Sequence, residues 1–232
     1  MSYLVTGGTG FIGKRVVAQL LKRGIKVVAT DIDIEKNNQQ FENYLSQKKI
    51  NTNDLKFREL DISSKEAIKE IISNNKITHI IACGYQMSNL IDSNPTKGAQ
   101  INIVGMTNLF QSTVDFNIRR LIFPSSQSVY GISSDIYNNK PVKEDDYCGL
   151  QHQLFTYAVM KLLNEFMAQK FINTNNVSIA CTRPSVVFGY GRKRSSLMWA
   201  EEFATNPALG KKTYLPFPEN NKDSFVYVED CA

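Results

Sequence analysis

Residues 1–20 read MSYLVTGGTGFIGKRVVAQL, and the four glycines between Gly7 and Gly13 decide the fold. Before them, Tyr3–Thr6 reads as a short buried strand. After them, Phe11–Arg23 sets Ile12, Val16, Val17, Leu20 and Leu21 at helical spacing, and Gly24 closes the helix. Ile25–Thr30 (IKVVAT) is then a β-branched strand. The first thirty residues are one strand–turn–helix–strand unit. Glycines in such a turn let backbone approach a pyrophosphate, and the helix behind them offers free N–H groups and a positive dipole end. Gly8-x-Gly10-x-x-Gly13 fits the dinucleotide pattern, and Gly7-x-x-Gly10-x-x-Gly13 fits a second spacing. Asp31 closes the next strand, where a carboxylate binds ribose hydroxyls and repels a 2′-phosphate. That favours NAD over NADP.

The rest of the chain continues the alternation. Further strands are expected at Leu55–Leu60, Thr78–Ala82, Leu121–Phe123 and Val177–Cys181, and helices at Ser64–Ser73, Lys97–Phe116 and Gln151–Phe171. Asp33–Asn53 is polar and reads as a loop with a weak helix around Phe41–Leu45. The last predicted helix carries a stripe at Leu154, Ala158, Leu162 and Phe166. This order predicts an α/β fold with a doubly wound parallel sheet over residues 1–182. After Arg183 the prolines at 184, 207, 216 and 218 mark a small, loop-rich lobe over 183–232.

Composition narrows the function. The 232 residues are 42% hydrophobic and 21% charged, an ordinary globular balance. No apolar run approaches the roughly 20 residues of a membrane span, and no signal segment opens the chain, so a cytoplasmic protein is expected. Four scattered cysteines and two histidines form no metal-ligand spacing. The net charge of +5 is dispersed, with Arg192-Lys193-Arg194 its densest cluster. That suits a phosphorylated small molecule better than nucleic acid.

Tyr157 and Lys161 lie four apart on one predicted helix and share a face. An ammonium beside a tyrosine lowers its pKa, and a bound NAD⁺ adds positive charge, making the phenol a usable acid and base. The spacing alone also occurs by chance in amphipathic helices.

TGGTGFIG (Thr6–Gly13), Asp31, LDI (Leu60–Ile62), FPSSQSVYG (Phe123–Gly131) and YAVMK (Tyr157–Lys161) occur in that order. Together they resemble the extended short-chain dehydrogenase/reductases of the NAD-dependent epimerase/dehydratase family, over essentially the whole chain. The resemblance implies a Rossmann domain and catalysis by Ser126, Tyr157 and Lys161. It places the cofactor against Gly7, Gly10, Phe11, Ile12, Gly13, Asp31, Asp61, Ile62, Cys83, Gly84, Lys161, Arg183 and Pro184. It offers Tyr85 and Arg192 to the substrate, sets Ser125 and Ser128 either against the substrate or on the loop backbone, and reads Asn102 as structural. It also implies a homodimer built from the two long helices as a four-helix bundle.

Four departures shape the expectation. The fourth strand ends ACGY (Ala82–Tyr85), with a bulky Tyr85 where the family favours a small residue. LQHQLFT (Leu150–Thr156) replaces a proline-containing segment before Tyr157, and His152 there is expected in an exposed loop or helix start. RPSVVFG (Arg183–Gly189) has Val186 in place of an asparagine. Gln127-Ser128 replaces the acidic pair of the sugar dehydratases, which ranks water elimination low. The ending DSFVYVEDCA (Asp223–Ala232) resembles a family segment that further residues follow, so the substrate lobe is expected to be either incomplete or minimal. The favoured expectation is a nucleotide-sugar epimerase cycling tightly bound NAD. The alternatives are a dehydrogenase of a sugar, uronate or other alcohol, and a non-catalytic NAD-binding module.

Overall fold

The structure, a computed structural model, describes residues 1–131, 134–192, 199–215, 218–219 and 222–232. Its main sheet is formed by β1 (Ser2–Thr6), β2 (Lys26–Asp31), β3 (Leu55–Glu59), β4 (His79–Ala82), β5 (Arg120–Pro124) and β6 (Ile179–Thr182). All pairings are parallel, in the order β3-β2-β1-β4-β5-β6. The strand order reverses between β1 and β4, and ligands of open α/β sheets bind at the carboxyl edge there.

Helices cover both faces. On one side, α1 (Gly13–Lys22) and α2 (Ile34–Gln47) enclose Val5, Val17, Leu20, Val27, Phe41 and Leu45. The other side holds α3 (Lys65–Asn75), two short helices α4 (Ser88–Ser93) and α5 (Pro95–Ala99), α6 (Met106–Asp115) and α7 (Thr156–Asn175). Leu4, Val28, Ile80, Phe110, Leu121 and Phe123 belong to the core on that side. Neighbours such as Leu4 and Val5 point to opposite cores because strand side chains alternate. Phe110 is fully buried and its ring lies 5.4 Å from that of Phe123, so its truncation to alanine costs about 3–5 kcal/mol.

Beyond β6 a two-stranded parallel sheet pairs β7 (Val186–Phe188) with β8 (Phe225–Tyr227), beside α8 (Trp199–Ala208) and the terminal α9 (Val228–Cys231). Arg15 of α1 binds this region to the first βαβ unit. It donates from Nη1 to Phe11 O (2.7 Å) and from Nη2 to Tyr190 O (2.8 Å), and its Nε lies 3.5 Å from the Glu229 carboxylate.

Three expectations change. The polar stretch 33–53 contains a 14-residue helix, α2, because Phe41 and Leu45, four apart, are buried against β2 and α1. Tertiary burial there outweighs a composition poor in helix signals. The helix expected over Lys97–Phe116 is interrupted by a π-helical segment, Gln100–Gly105, ahead of α6. The stripe expected at Leu154, Ala158, Leu162 and Phe166 does not form one face: Leu154, ahead of α7, is 69% exposed and Phe166 68%, while Ala158 is buried. The buried residues of α7 are Ala158, Met160, Lys161, Asn164 and Ala168. Periodicity marks an apolar face without saying which neighbour takes it. Here the site side of α7 is polar, and Leu162, Leu163 and Phe166 line an open groove of about 820 Å³ with Cys181 and Arg183.

Candidate active site

The carboxyl edge brings together the glycine turn after β1, Asp31 ending β2, Cys83 and Gly84 after β4, and Ser126 after β5. Gly7 has φ +61°, and a Cβ on it would lie 2.6 Å from the Gly84 nitrogen. A Cβ on Gly13 would lie 2.1 Å from Gly7 O. Both positions therefore exclude any side chain. Gly10 is exposed, and α1 opens at Ile12 with no side-chain cap and no acidic residue in its first turn. An uncapped ten-residue helix behind a glycine turn suits a pyrophosphate. Thr9 Oγ1 donates to Asp31 Oδ2, and Ile32 N donates to Asp31 Oδ1 (2.9 Å). The carboxylate is thus fixed at the end of β2. These features fit a dinucleotide.

Asp61 is exposed and accepts from Ser63 N (2.8 Å). The Ile62 side chain is buried where a Cβ on Gly105 would strike it, so only its backbone is left for an adenine. Burial pushes the Cys83 thiol up to about 12. All four cysteines are free.

Ser126 caps a short 3₁₀ turn, Gln127–Tyr130, and its Oγ accepts from Ser128 N (3.1 Å) and from Ser128 Oγ (2.9 Å). Hydrogen bonding to Ser126 lowers the Tyr157 phenol. The charge of Arg192 lowers it too, but burial dominates and pushes Tyr157 up to about 12. The expected Lys161 effect on that phenol is not what this geometry provides. The Lys161 ammonium lies 5.6 Å from the Tyr157 ring and donates to Pro124 O at 2.6 Å. Burial pulls Lys161 itself down to about 7, against the opposing charge of Glu165.

Several residues sit elsewhere than the sequence implied. Ser125 is buried, and its hydroxyl donates to Glu165 Oε1, so its side chain faces away from a substrate. Arg183 also turns to Glu165. Its Nε donates to Oε1 (3.1 Å) and its Nη2 to Oε2 (2.6 Å), and its guanidinium lies over the Tyr130 ring. Only the Arg183 backbone stays with Pro184 at the edge, where Pro184 O accepts from Gln127 N (3.0 Å). Tyr85 packs behind Lys161, with its hydroxyl accepting from Asn164 Nδ2 (3.1 Å). Arg192 is buried, donates to Val187 O and brings its charge to Tyr157. Lys193 and Arg194 of the same cluster lie outside the described residues. His152 is half-buried in the 3₁₀ turn Leu150–His152. Asn102, fully buried, clamps the chain after β4 by bonding both backbone groups of Gln86.

Sequence reasoning passed over Glu165, Asn164, Arg15 and Glu229. Glu165 had a signal, since Tyr157, Lys161 and Glu165 repeat at four-residue spacing along one helix. The other three gave none, because their partners lie far away in sequence. Among the described residues, no group of three or more His, Cys, Asp or Glu could hold a metal, and no helix is long and apolar enough to cross a membrane.

A parallel sheet with a glycine cradle, an acidic β2 end and a Ser–Tyr–Lys constellation defines a Rossmann-type enzyme that works with a dinucleotide. The sequence profile of the NAD dependent epimerase/dehydratase family matches residues 3–232, and the chain belongs to that family. Its cofactor is NAD. The chain is 28% identical to the UDP-glucuronate 4-epimerase of Thermodesulfobacterium geofontis over 242 residues, 99% of this chain and 69% of the relative. It is 28% identical to the UDP-glucose 4-epimerase of Bacillus subtilis over 191 residues, 82% of this chain and 53% of the relative. It superposes on the NAD complex of the Thermus thermophilus UDP-glucose 4-epimerase with a TM-score of 0.75 at 22% identity, covering 100% of this chain and 72% of that one. The chain spans 67% of the length of protein CapI of Staphylococcus aureus, to which it is 26% identical over 238 residues, 100% of this chain.

Proposed function

We propose that this chain carries the NAD-binding and catalytic machinery of a nucleotide-sugar epimerase of the UDP-hexose 4-epimerase kind. The observation that carries the reading is the hydrogen-bond chain from Ser128 through Ser126 to Tyr157, set beside a glycine cradle and a buried Lys161. When bound, NAD supplies a reversible hydride acceptor and, oxidised, a positive charge. Tyr157 removes the proton of the sugar hydroxyl and returns it once the other face of the carbon has been reduced. With substrate bound, Ser126, held by Ser128, turns its one hydroxyl proton from Tyr157 to the reacting oxygen. Arg192 and Ser126 both favour the phenolate that burial opposes. Lys161 contributes a positive charge under the site. Gln127 binds Asp223 through its side chain and offers no acid, so elimination of water lacks its catalyst here. The relatives named as 4-epimerases support the same reading.

We further propose a homodimer packed through the helical run 95–115 and α7, where Val104, Leu163 and Phe166 are exposed. The test of the function is Tyr157→Phe. It should bind NAD in calorimetry as the parent does and lose about 10²–10⁴-fold in turnover of a UDP-sugar. Undiminished turnover overturns the assignment.

A further inference from the structure

We propose that Tyr85 is a positioning residue that keeps Lys161 charged and aimed, by carrying its ammonium on the face of the aromatic ring. The Lys161 Nζ lies 3.4 Å from the Tyr85 ring centroid, far closer than its 5.6 Å from the Tyr157 ring. A cation on a ring face is stabilised most where water is excluded, and Lys161 is only 3% exposed. Among the described residues no carboxylate stands within ion-pair distance of Lys161, and its one hydrogen bond there is to Pro124 O. The remaining groups that face it are Cys83 after β4, Glu165 one turn along α7 and Cys181 on β6. Burial keeps the two thiols neutral. Glu165 is engaged by Arg183 and Ser125. Beside the Pro124 carbonyl, the ring is therefore the nearest side-chain group that favours the charged form.

Tyr85 is itself held from two sides. Its hydroxyl takes a hydrogen bond from Asn164, whose Nδ2 also donates to Asn102 O (2.9 Å), and its edge meets the Tyr157 ring at 88° and 5.7 Å. Tyr85 thus fixes the distance between the Lys161 charge and the Tyr157 ring. The bulky residue that departs from the family pattern occupies the space behind the lysine rather than the substrate's.

The test is an NMR titration of protein labelled with ¹³C-lysine, with the Lys161 Cε signal identified by its loss in Lys161→Met. It needs neither cofactor nor substrate, so its result stands apart from the epimerase reading. Tyr85→Phe keeps the ring and should titrate with the parent. Tyr85→Leu removes the ring at similar bulk and should lower the Lys161 midpoint by at least one pH unit, a tenfold change in proton affinity. Tyr85→Met serves the same purpose if the leucine variant does not fold. A Leu or Met variant that titrates with the parent overturns the proposal. So does a Phe variant that falls with them, since the hydroxyl would then be the active part.

Discussion

Replacing Lys161 by methionine should make the cofactor-free protein more stable at low pH, and the gain should vanish as pH rises. Burial holds the Lys161 pKa near 7 against an ordinary 10.5, a fall of about 3.5 pH units. At about 1.4 kcal/mol per unit, the buried charge costs the fold about 5 kcal/mol below pH 7. Between the two pKa values the unfolded chain holds the proton and the folded one does not, so this cost falls by about 1.4 kcal/mol for each unit of pH. It is about 2 kcal/mol at pH 9. Methionine fills the space without the charge but leaves Pro124 O without its donor, a loss of about 2 kcal/mol at any pH. The net expectation is a gain of about 3 kcal/mol at pH 6 and none at pH 9. For a chain of 232 residues the former is a rise of about 6–12 °C in midpoint. Urea unfolding of parent and variant at both pH values reads the difference directly. A stability difference that does not change between pH 6 and pH 9 refutes the reasoning.

Other consequences follow from the same geometry. Gly13→Ala forces a methyl group onto Gly7 O, so NAD binding should be lost in calorimetry, with the turn displaced or the chain unfolded. Glu165→Gln leaves the Arg183 guanidinium without its carboxylate and should destabilise the fold by about 3 kcal/mol, seen in denaturant midpoints. Ser128→Ala removes the hydroxyl that orients Ser126 and should lower turnover about tenfold while NAD affinity stays unchanged, a split read by kinetics beside calorimetry.

What the sequence revealed was mostly local. The glycine turn, the acid ending β2 and the strand–helix alternation each depend on residues close together, so the Rossmann sheet was legible from Tyr3 onward. Ser126, Tyr157 and Lys161 were legible through short motifs whose neighbours are their context. Side-chain direction was not. Ser125 and Arg183 belong to motifs at the site, yet both turn to Glu165, because a half-buried carboxylate takes whichever donors reach it. Arg15 looked like one polar residue in an amphipathic helix, but it ties the glycine turn to Tyr190 and Glu229 at the far end of the chain. Tyr85 was visible only as an oddity of size. Its place under Lys161 depends on Asn164, which bonds its hydroxyl from another element and is itself held by Asn102 O. The stripe expected on α7 misled for the opposite reason: Leu162 and Phe166 line a groove, while Ala158 is buried on the side that holds a lysine and an asparagine.

The most direct measurement follows a UDP-hexose deuterated at C4, incubated with the chain and NAD and analysed by mass spectrometry and NMR. The account predicts the C4 epimer with its deuterium retained at C4 and no net NADH, because the hydride returns to the carbon it left. Deuterium accumulating in free NADH, or substrate recovered unchanged from protein shown to bind NAD, contradicts it.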